Sequence, residues 1–418
     1  MNCRHCKSPV RLALADLGSA PPSNAYLTEE SLKRPEKWYP LRVLVCESCW
    51  LAQTEDFAQA EELFGADYAY FSSYSSTWLE HAERYVADMA ARLELGSRSH
   101  VVEVAANDGY LLQYVAARGI PCMGIEPTRS TAAAARTKGL AVVEDFFGAR
   151  LARELAATEK QADLAVANNV LAHVPDINDF VAGFALLLKQ QGVATFEFPH
   201  LLKLIAETQF DTIYHEHYSY LSLYTAERIF AANGLRVFDV EELPTHGGSL
   251  RVFAQRSDSG RRPRSARVDA LLARESAAGM RTADYYAGFQ GGIGKVKDEF
   301  LRFLLDAKRE GKTVAAYGAA AKGNTLLNYA GVRRDLIAFV ADRNPAKQGK
   351  FMPGSRIPIL EVPHCAKARP DYVVILPWNL KAEVMDQLSR LGTWTPKFVT
   401  AIPRIEVAAL PGAASRIC

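Results

Sequence analysis

The chain reads as an α/β protein in three parts. A small cysteine-stapled module is followed by a central domain on a doubly wound parallel sheet and by a second, smaller domain of the same kind. Three observations carry this. Short apolar runs alternate with amphipathic helical stretches between about 100 and 200, the pattern of parallel strands joined by crossover helices. The pattern restarts near 313, beyond a Ser/Gly/Pro-rich stretch at 256–266. Two Cys-x-x-Cys pairs crowd the first fifty residues. A length of 418 residues exceeds one ordinary core. The boundaries expected are 1–75, 76–256 and 257–418.

An amphipathic helix is expected over about 77–95, with Trp78, Ala82, Tyr85, Val86 and Met89 on one face. Strands are expected at 100–105, 121–125, 140–143, 163–167 and 192–198, separated by helices near 109–118, 129–138, 148–158 and 177–190. Runs at 235–240 and 250–254 suit an antiparallel end to that sheet. The last part has strands expected at 313–317, 336–341, 371–376 and 397–401, a second Rossmann-like series.

Composition is that of an ordinary globular chain, 49% hydrophobic and 23% charged with a net charge of +2. The one dense basic cluster, Arg261, Arg262, Arg264 and Arg267, lies in the Ser/Gly/Pro-rich stretch and reads as a solvated linker rather than a nucleic-acid or lipid patch. Nothing near the N-terminus resembles a signal peptide, and no apolar stretch reaches the ~20 residues that span a bilayer. The expectation is a cytoplasmic protein, a monomer or weak homodimer, with neither nucleic acid nor membrane as partner.

In a reducing compartment paired cysteines bind metal more often than they form disulfides. Cys3 and Cys6 pair with Cys46 and Cys49 across 39 residues, and two such turns supply four thiolates for a closed structural zinc site. The spacing is wider than the ~15–20 residues of a standard ribbon, and free thiols or a redox pair are the alternatives. Cys122, Cys365 and Cys418 stand alone as packing or tail residues. Arg4, His5, Lys7 and Arg11 flank the first knuckle as in a nucleic-acid binder, but Glu47 in the second speaks against that.

The segment from Val101 to Leu111 reads strand, turn, helix start, a turn whose backbone approaches a ligand closely. A dinucleotide site wants G-x-G-x-x-G to admit a pyrophosphate, and here Ala105 and Asn107 leave only Gly109. S-adenosylmethionine fits instead, its sulfonium and amino group favouring partners such as Glu103 and Asn107. Glu126 ends the next strand, where a carboxylate accepts from both ribose hydroxyls. Asp145 after the third strand suits the adenine amino group, with Phe146 or Phe147 stacking on the base. Asn168 and His173 follow the fourth strand, where cofactor and substrate meet. The bland alternative is a Rossmann-like fold with a surface acid at 126.

Tyr214-His215-Glu216-His217-Tyr218-Ser219-Tyr220 is the densest chemical stretch. H-E-x-x-H sets two ligands on one helical face, whereas H-E-H does not, so proton transfer is preferred to a metal. On a strand, 215 and 217 would point one way and 214 and 216 the other. A histidine is poised near neutral pH, a glutamate beside it orients it, and a tyrosine steadies a developing oxyanion. Together they suit removal of a proton next to a carbonyl; the alternative is side chains filling a domain interface. The aromatic, hydroxylated run from Asp67 to Tyr74 is unlike a linker, and the turn from His246 to Arg251 suits a substrate wall. The turn from Tyr317 to Thr325 is not a Walker A loop; it either cradles a diphosphate with Lys322 or is a plain strand–helix turn.

Taken in order, the Cys-x-x-Cys pairs, E-V-A-A-N-D-G-Y-L-L, N-N-V-L-A-H-V-P-D, Y-H-E-H-Y-S-Y, H-G-G-S-L-R and Y-G-A-A-A-K-G-N resemble the nucleotide-sugar C-methyltransferases over essentially the whole length. The resemblance implies a zinc-binding N-terminal domain, a central class I methyltransferase domain and a smaller Rossmann-like C-terminal domain, with substrate between them. It implies a TDP-linked 4-keto-deoxysugar as substrate, enolised at the carbon beside the ketone, C-3 favoured over C-5, and methylated in line. His217 is then the base. Tyr214 and Glu216 position it or hold the enolate oxygen, His173 assists from the cofactor side, and Tyr68, favoured over Tyr70, contributes from the N-terminal part. The rivals are a methyltransferase acting on oxygen or nitrogen of a non-sugar acceptor, a nicotinamide oxidoreductase lacking the expected glycines, and a zinc-ribbon nucleic-acid binder.

Overall fold

The computed structural model describes residues 1–57, 71–392 and 394–409, which form three sheets. The first has β1 (Leu12–Ala20), β2 (Tyr39–Val45), β3 (Ala52–Thr54) and β9 (Ser219–Tyr220), all antiparallel in the order β1-β2-β3-β9. In β2 the residues Leu41, Val43 and Val45 are buried and Arg42 is exposed, the alternation of a one-sided sheet. Its last strand comes from the Y-H-E-H-Y-S-Y stretch, so the N-terminal module is completed by a piece of the central domain.

The central sheet runs β10-β11-β8-β7-β4-β5-β6. Its parallel strands are β4 (Val101–Val104), β5 (Cys122–Ile125), β6 (Val142–Val143), β7 (Ala162–Asn168) and β8 (Leu188–Pro199). Every residue of β4 is buried, as expected of a parallel strand covered on both faces. β11 (Ser249–Arg256) inserts antiparallel between β8 and β10 (Leu235–Leu243). Both pairings at this end of the sheet are thus antiparallel, as the runs at 235–240 and 250–254 suggest, with β11 alone running against the other strands. β4 has β5 on one side and β7 on the other, which makes its C-terminal end the switch point where such sheets bind ligands.

The third sheet, β14-β13-β12-β15-β16-β17, repeats the plan with β12 (Val314–Tyr317) at its switch point between β13 (Val340–Ala341) and β15 (Tyr372–Ile375). β14 (Ile359–Leu360), β16 (Lys397–Thr400) and β17 (Glu406–Ala408) complete it. The strand expected over 336–341 shrinks to its last two residues, Leu336 ending a turn, although Ala338 and Phe339 already hydrogen-bond to Val314 and Ala316 of β12. The helix expected to 190 stops at Leu187; Leu188 is extended and already begins β8, four residues earlier than anticipated.

The helix Ser76–Arg92 is capped by Ser75, whose side chain accepts from the Trp78 N–H, and ends short of the expected 95. Trp78, Ala82, Tyr85, Val86 and Met89 face inward at helical spacing, and His81 joins them. The core is shared across domains. Leu14, Leu41 and Val43 of the first sheet pack in one cluster with Phe300, Leu304 and Leu326 of the C-terminal part, while Cys3, Cys46 and Cys49 pack with Phe180, Phe184 and Phe230 of the central part. At roughly 1.5–3 kcal/mol for each buried large side chain, the N-terminal module is wedged firmly between its neighbours. Among the described residues no helix is long and apolar enough to cross a membrane.

Candidate active site

A cleft with about 960 Å³ of empty space, counting its open mouth, lies at the switch point of the central sheet. Its floor is the turn after β4. Ala105, Asn107 and Gly109 all take left-handed φ, at 57°, 50° and 76°, which curls the chain back under the cleft. At Gly109 an added Cβ would come within 2.3 Å of the Leu140 side chain, so only glycine fits there. The Asn107 N–H donates to Glu126 at 2.9 Å, and the Thr128 N–H donates to the other Glu126 oxygen at 2.9 Å. Glu126 is thereby held rigidly on the cleft wall; burial raises its pKa and these backbone bonds oppose the rise.

Of the eight residues expected around the cofactor, Ala105, Asn107, Glu126, Asp145, Phe146 and Asn168 line the cleft, and Glu103 and Gly109 do not. Glu103 is buried beneath the turn, where desolvation raises its pKa well above the ordinary value and a bond from the Tyr110 hydroxyl opposes this. The Asn107 side-chain oxygen accepts from the Ser72 N–H at 2.9 Å. Asp145 is half-exposed and engaged by Arg150 at 2.5 Å and by the Phe146 N–H at 2.8 Å. Phe146 is exposed at the rim, while Phe147 packs inward against Phe180 and Phe184. Asn168 is buried with neither its amide oxygen nor its nitrogen partnered by protein, an arrangement that calls for a ligand.

Cleft residues without a signal in the sequence include Ser72, Thr128 and, above all, Trp78, whose helical spacing marks it only as a core position. Its indole stacks on the His81 ring at 4.8 Å and meets the tilted His246 ring at 5.1 Å, and it also walls a second cavity reaching Arg251 and Asn379. Neither helical spacing nor motif marks a residue of that kind.

His173 forms part of the cleft wall, and its ring meets that of His217 edge-on at 4.6 Å. The Y-H-E-H-Y-S-Y stretch is a β-turn followed by a short strand, its turn closed by the His217 N–H on the Tyr214 carbonyl at 2.9 Å. Alternation therefore fails. Tyr214 and His217 face each other, with the hydroxyl 2.7 Å from Nε2; His215 turns away and donates to the Pro40 carbonyl at 3.2 Å. Nδ1 of His217 lies 2.8 Å from the Thr212 carbonyl. A carbonyl only accepts, so Nδ1 carries the proton and Nε2 presents its lone pair.

Burial holds His217 well below its ordinary pKa, and the neighbouring His173 lowers it further. Burial likewise takes His173 down to about 4, opposed by a bond that its ring donates to the Glu216 backbone. Glu216 is pushed up to about 7 by burial, opposed by its bonds from Asn24, whose side-chain amide lies at 3.2 Å. Lys322 approaches from the C-terminal domain's own switch point, 4.6 Å over the Trp378 ring and 3.2 Å from Asn379. Burial lowers its pKa, and Asp211, itself raised by burial to about 6, counters this. Tyr68 lies outside the described residues.

At the N-terminus the Sγ atoms of Cys3, Cys6, Cys46 and Cys49 all lie within 4.8 Å of one another. Zn–S bonds of about 2.3 Å imply sulfur separations near ~3.8 Å in a tetrahedron, which this cluster fits. Burial pushes the Cys46 thiol up, and four thiolates converge in such a space only around a cation. The four thiols leave no protein-side position open, as in a structural site.

A Rossmann-like sheet with a ligand cleft at its switch point, a glycine-poor turn and a strand-end carboxylate defines an S-adenosylmethionine-dependent methyltransferase, here joined to a structural zinc module. Three family models cover the chain: a zinc binding domain at residues 3–64, a methyltransferase domain at 78–240 and a C-methyltransferase C-terminal domain at 244–403. The chain is 34% identical over 405 residues to C-methyltransferase NovU of Streptomyces niveus, covering 97% of this chain and 96% of that one. It belongs to this C-methyltransferase family, and it is an S-adenosylmethionine-dependent C-methyltransferase. Among solved structures it is similar to magnesium protoporphyrin IX methyltransferase of Synechocystis, at 16% identity and a TM-score of 0.34 over 43% of this chain and 79% of that one. It is also similar to the 1,6-didemethyltoxoflavin-N1-methyltransferase of Burkholderia thailandensis, at 18% identity and a TM-score of 0.36 over 50% and 96%.

Proposed function

We propose that the enzyme methylates a nucleotide-linked 4-keto-deoxysugar, TDP being the favoured nucleotide, at the carbon beside the ketone, C-3 before C-5. It works in the cytoplasm as a monomer or weak homodimer. The observation that carries this reading is the unprotonated Nε2 of His217, fixed by Thr212 and set one ring away from the cofactor cleft. Such a lone pair in a dry site suits removal of a C–H proton acidified by a neighbouring carbonyl.

S-adenosylmethionine supplies, when bound, a methyl group already activated on a sulfonium. Ala105, Asn107, Gly109 and Glu126 would shape its seat, with Glu126 on the ribose, Phe146 and Asp145 at the adenine, Asn168 near the reacting end and Glu103 supporting the turn from beneath. On the substrate side His217 takes the proton at Nε2, and the C–H electron pair passes into the enolate. The Tyr214 hydroxyl, resting on Nε2, turns to the ketone oxygen as that oxygen becomes negative. Glu216 braces the turn against Asn24, and His173 keeps water from the gap between base and cleft. Tyr68 would assist from the N-terminal part, as the family resemblance implies. Lys322 and the turn around it suit the diphosphate, since they sit at the switch point of the C-terminal sheet and face the histidines.

The test is incubation with a TDP-4-keto-6-deoxy sugar in deuterated buffer, followed by mass spectrometry. Methylation at carbon is expected, with deuterium entering the same carbon when S-adenosylhomocysteine replaces the donor. His217→Asn should lose both while still binding S-adenosylhomocysteine. Exchange that persists in His217→Asn would assign the base elsewhere, and methylation only at oxygen or nitrogen of a non-sugar acceptor would overturn the reading.

A further inference from the structure

We infer that Arg4, inside the first zinc knuckle, is a positioning residue that sets the two histidines of the active site against each other. The inference rests on the proposed roles of His173 and His217.

Arg4 looks from the sequence like a surface cation beside a metal site. It is instead buried, with only 7% of its surface exposed. Its guanidinium reaches three stretches of chain at once. Nη1 donates to the Pro175 carbonyl at 3.3 Å, two residues beyond His173. Nη2 donates to the Thr54 carbonyl at 3.0 Å and pairs with Asp56. The flat face of the group lies 4.7 Å from the centroid of the Tyr218 ring, the residue after His217. Its own N–H donates to Gln53 at 2.9 Å.

Thr54 continues the same contact. Its N–H donates to the Tyr218 carbonyl at 3.2 Å and its hydroxyl to the His217 carbonyl at 3.0 Å. The Tyr218 N–H in turn donates to the Ala172 carbonyl at 2.8 Å, which ties the two histidine loops directly. His5, next to Arg4, faces Asn178 at 2.8 Å at the start of the helix that follows the His173 loop.

The reason such a clamp matters is that neither histidine sits on a long element. His173 ends a three-residue 3-10 turn, and His217 closes a β-turn. The 4.6 Å contact of their rings depends on where two loops rest, and through Arg4 the knuckle, which a metal on its four thiolates would stiffen, touches both. A planar guanidinium satisfies Pro175, Thr54 and Tyr218 together; a lysine is a point charge and serves one of them.

The test uses the zinc-loaded full chain and the variants Arg4→Met, Arg4→Lys and Thr54→Val. Zinc content and affinity for S-adenosylhomocysteine are expected to stay near wild type, since neither residue touches the thiolates or lines the cleft. With the TDP-4-keto-6-deoxy sugar, Arg4→Met is expected to lower kcat by about 10–100-fold with little change in KM, the scale of a small misplacement of reacting groups. Arg4→Lys should recover part of this, and Thr54→Val should show a smaller fall in the same direction. In protein labelled with [15N]histidine, the ring signals of His173 and His217 should move in Arg4→Met while that of His200 stays in place. This readout needs no sugar, so it still tests Arg4 if the wild type fails to methylate the proposed substrate. Unmoved ring signals in both Arg4→Met and Thr54→Val would overturn the inference. So would a parallel loss of zinc, S-adenosylhomocysteine binding and kcat in both, which would make the contact merely structural.

Discussion

The Tyr214 hydroxyl donates to Nε2 of His217 across 2.7 Å, because Nδ1 carries the ring proton and donates it in a hydrogen bond to the Thr212 carbonyl. The ring is neutral, aimed and dry before any substrate arrives. Burial far below the ordinary histidine pKa of 6.5 keeps it so.

One consequence is kinetic. With His217 and His173 both depressed, the log of kcat/KM should show no inflection at 6.5 as pH falls from about 7 to about 5. Inflections near 7 or 6 would belong to Glu216 or Asp211. An inflection at 6.5 that survives in both Glu216→Gln and Asp211→Asn would contradict a permanently neutral base.

Glu216 makes a prediction about stability. Its folded pKa of about 7 lies above the 4.5 of the unfolded chain, so between those values the native state binds the extra proton. Its contribution is fully present below 4.5 and is lost as pH rises through 7. The span corresponds to roughly 3 kcal/mol as an order of magnitude. His173 slopes the other way: with a folded pKa of about 4 against 6.5, its stability is lost as pH falls through that interval. Comparing wild type with Glu216→Gln in urea titrations at pH 5 and pH 7.5 isolates the glutamate. The variant is expected to lose less stability, or gain more, on going to the higher pH; equal changes in the two proteins would refute it.

Removal of the metal should act on the fold first. Replacing Cys46 by Ser, or exposure to a strong chelator, is expected to release zinc and lower Tm, since structural zinc contributes folding energy outright. Thr54 and Arg4 carry the change to the histidine loops, so activity should fall at temperatures where the central sheet still gives its far-ultraviolet signal. A chelated protein with unchanged Tm would deny the site its structural role.

Gly109 is the sharpest test of the cofactor turn. A methyl group there would meet Leu140 at 2.3 Å and Ala135 at 3.3 Å with φ at +76°. Gly109→Ala should destabilise by about 1–3 kcal/mol and weaken S-adenosylhomocysteine binding at least several-fold. Calorimetric titration and thermal unfolding of the same sample check both.

Much of the fold was legible because its signals are local. The Val101–Val104 run, the helix carrying Trp78 and Met89, and the strand restart at Val314 each follow from periodicity within a dozen residues. Errors fell where tertiary contact outweighs local pattern. Leu188 continues an apolar helix by composition, yet it pairs with Ala162 as the start of β8. The H-E-H stretch alternates on paper, yet Tyr214 and His217 close a turn. Trp78 passes for core, yet it divides two cavities.

What the sequence by itself determined is the chemistry present and its approximate address. The cysteines Cys3, Cys6, Cys46 and Cys49 come in pairs, and Glu126 and Asn168 fall at the C-terminal ends of two parallel strands, which repeated strand–turn–helix units place on one edge. Only the tertiary structure decided the state of that chemistry: which nitrogen of His217 is bare, why Glu216 holds its proton, and that Arg4 faces inward. The tautomer follows from a turn that brings the Thr212 carbonyl, five residues back, onto Nδ1, while desolvation and orientation depend on Asn24, Thr54 and Pro175, each paired with a residue more than a hundred positions away, and hydrogen bonds across such separations leave no mark in local spacing.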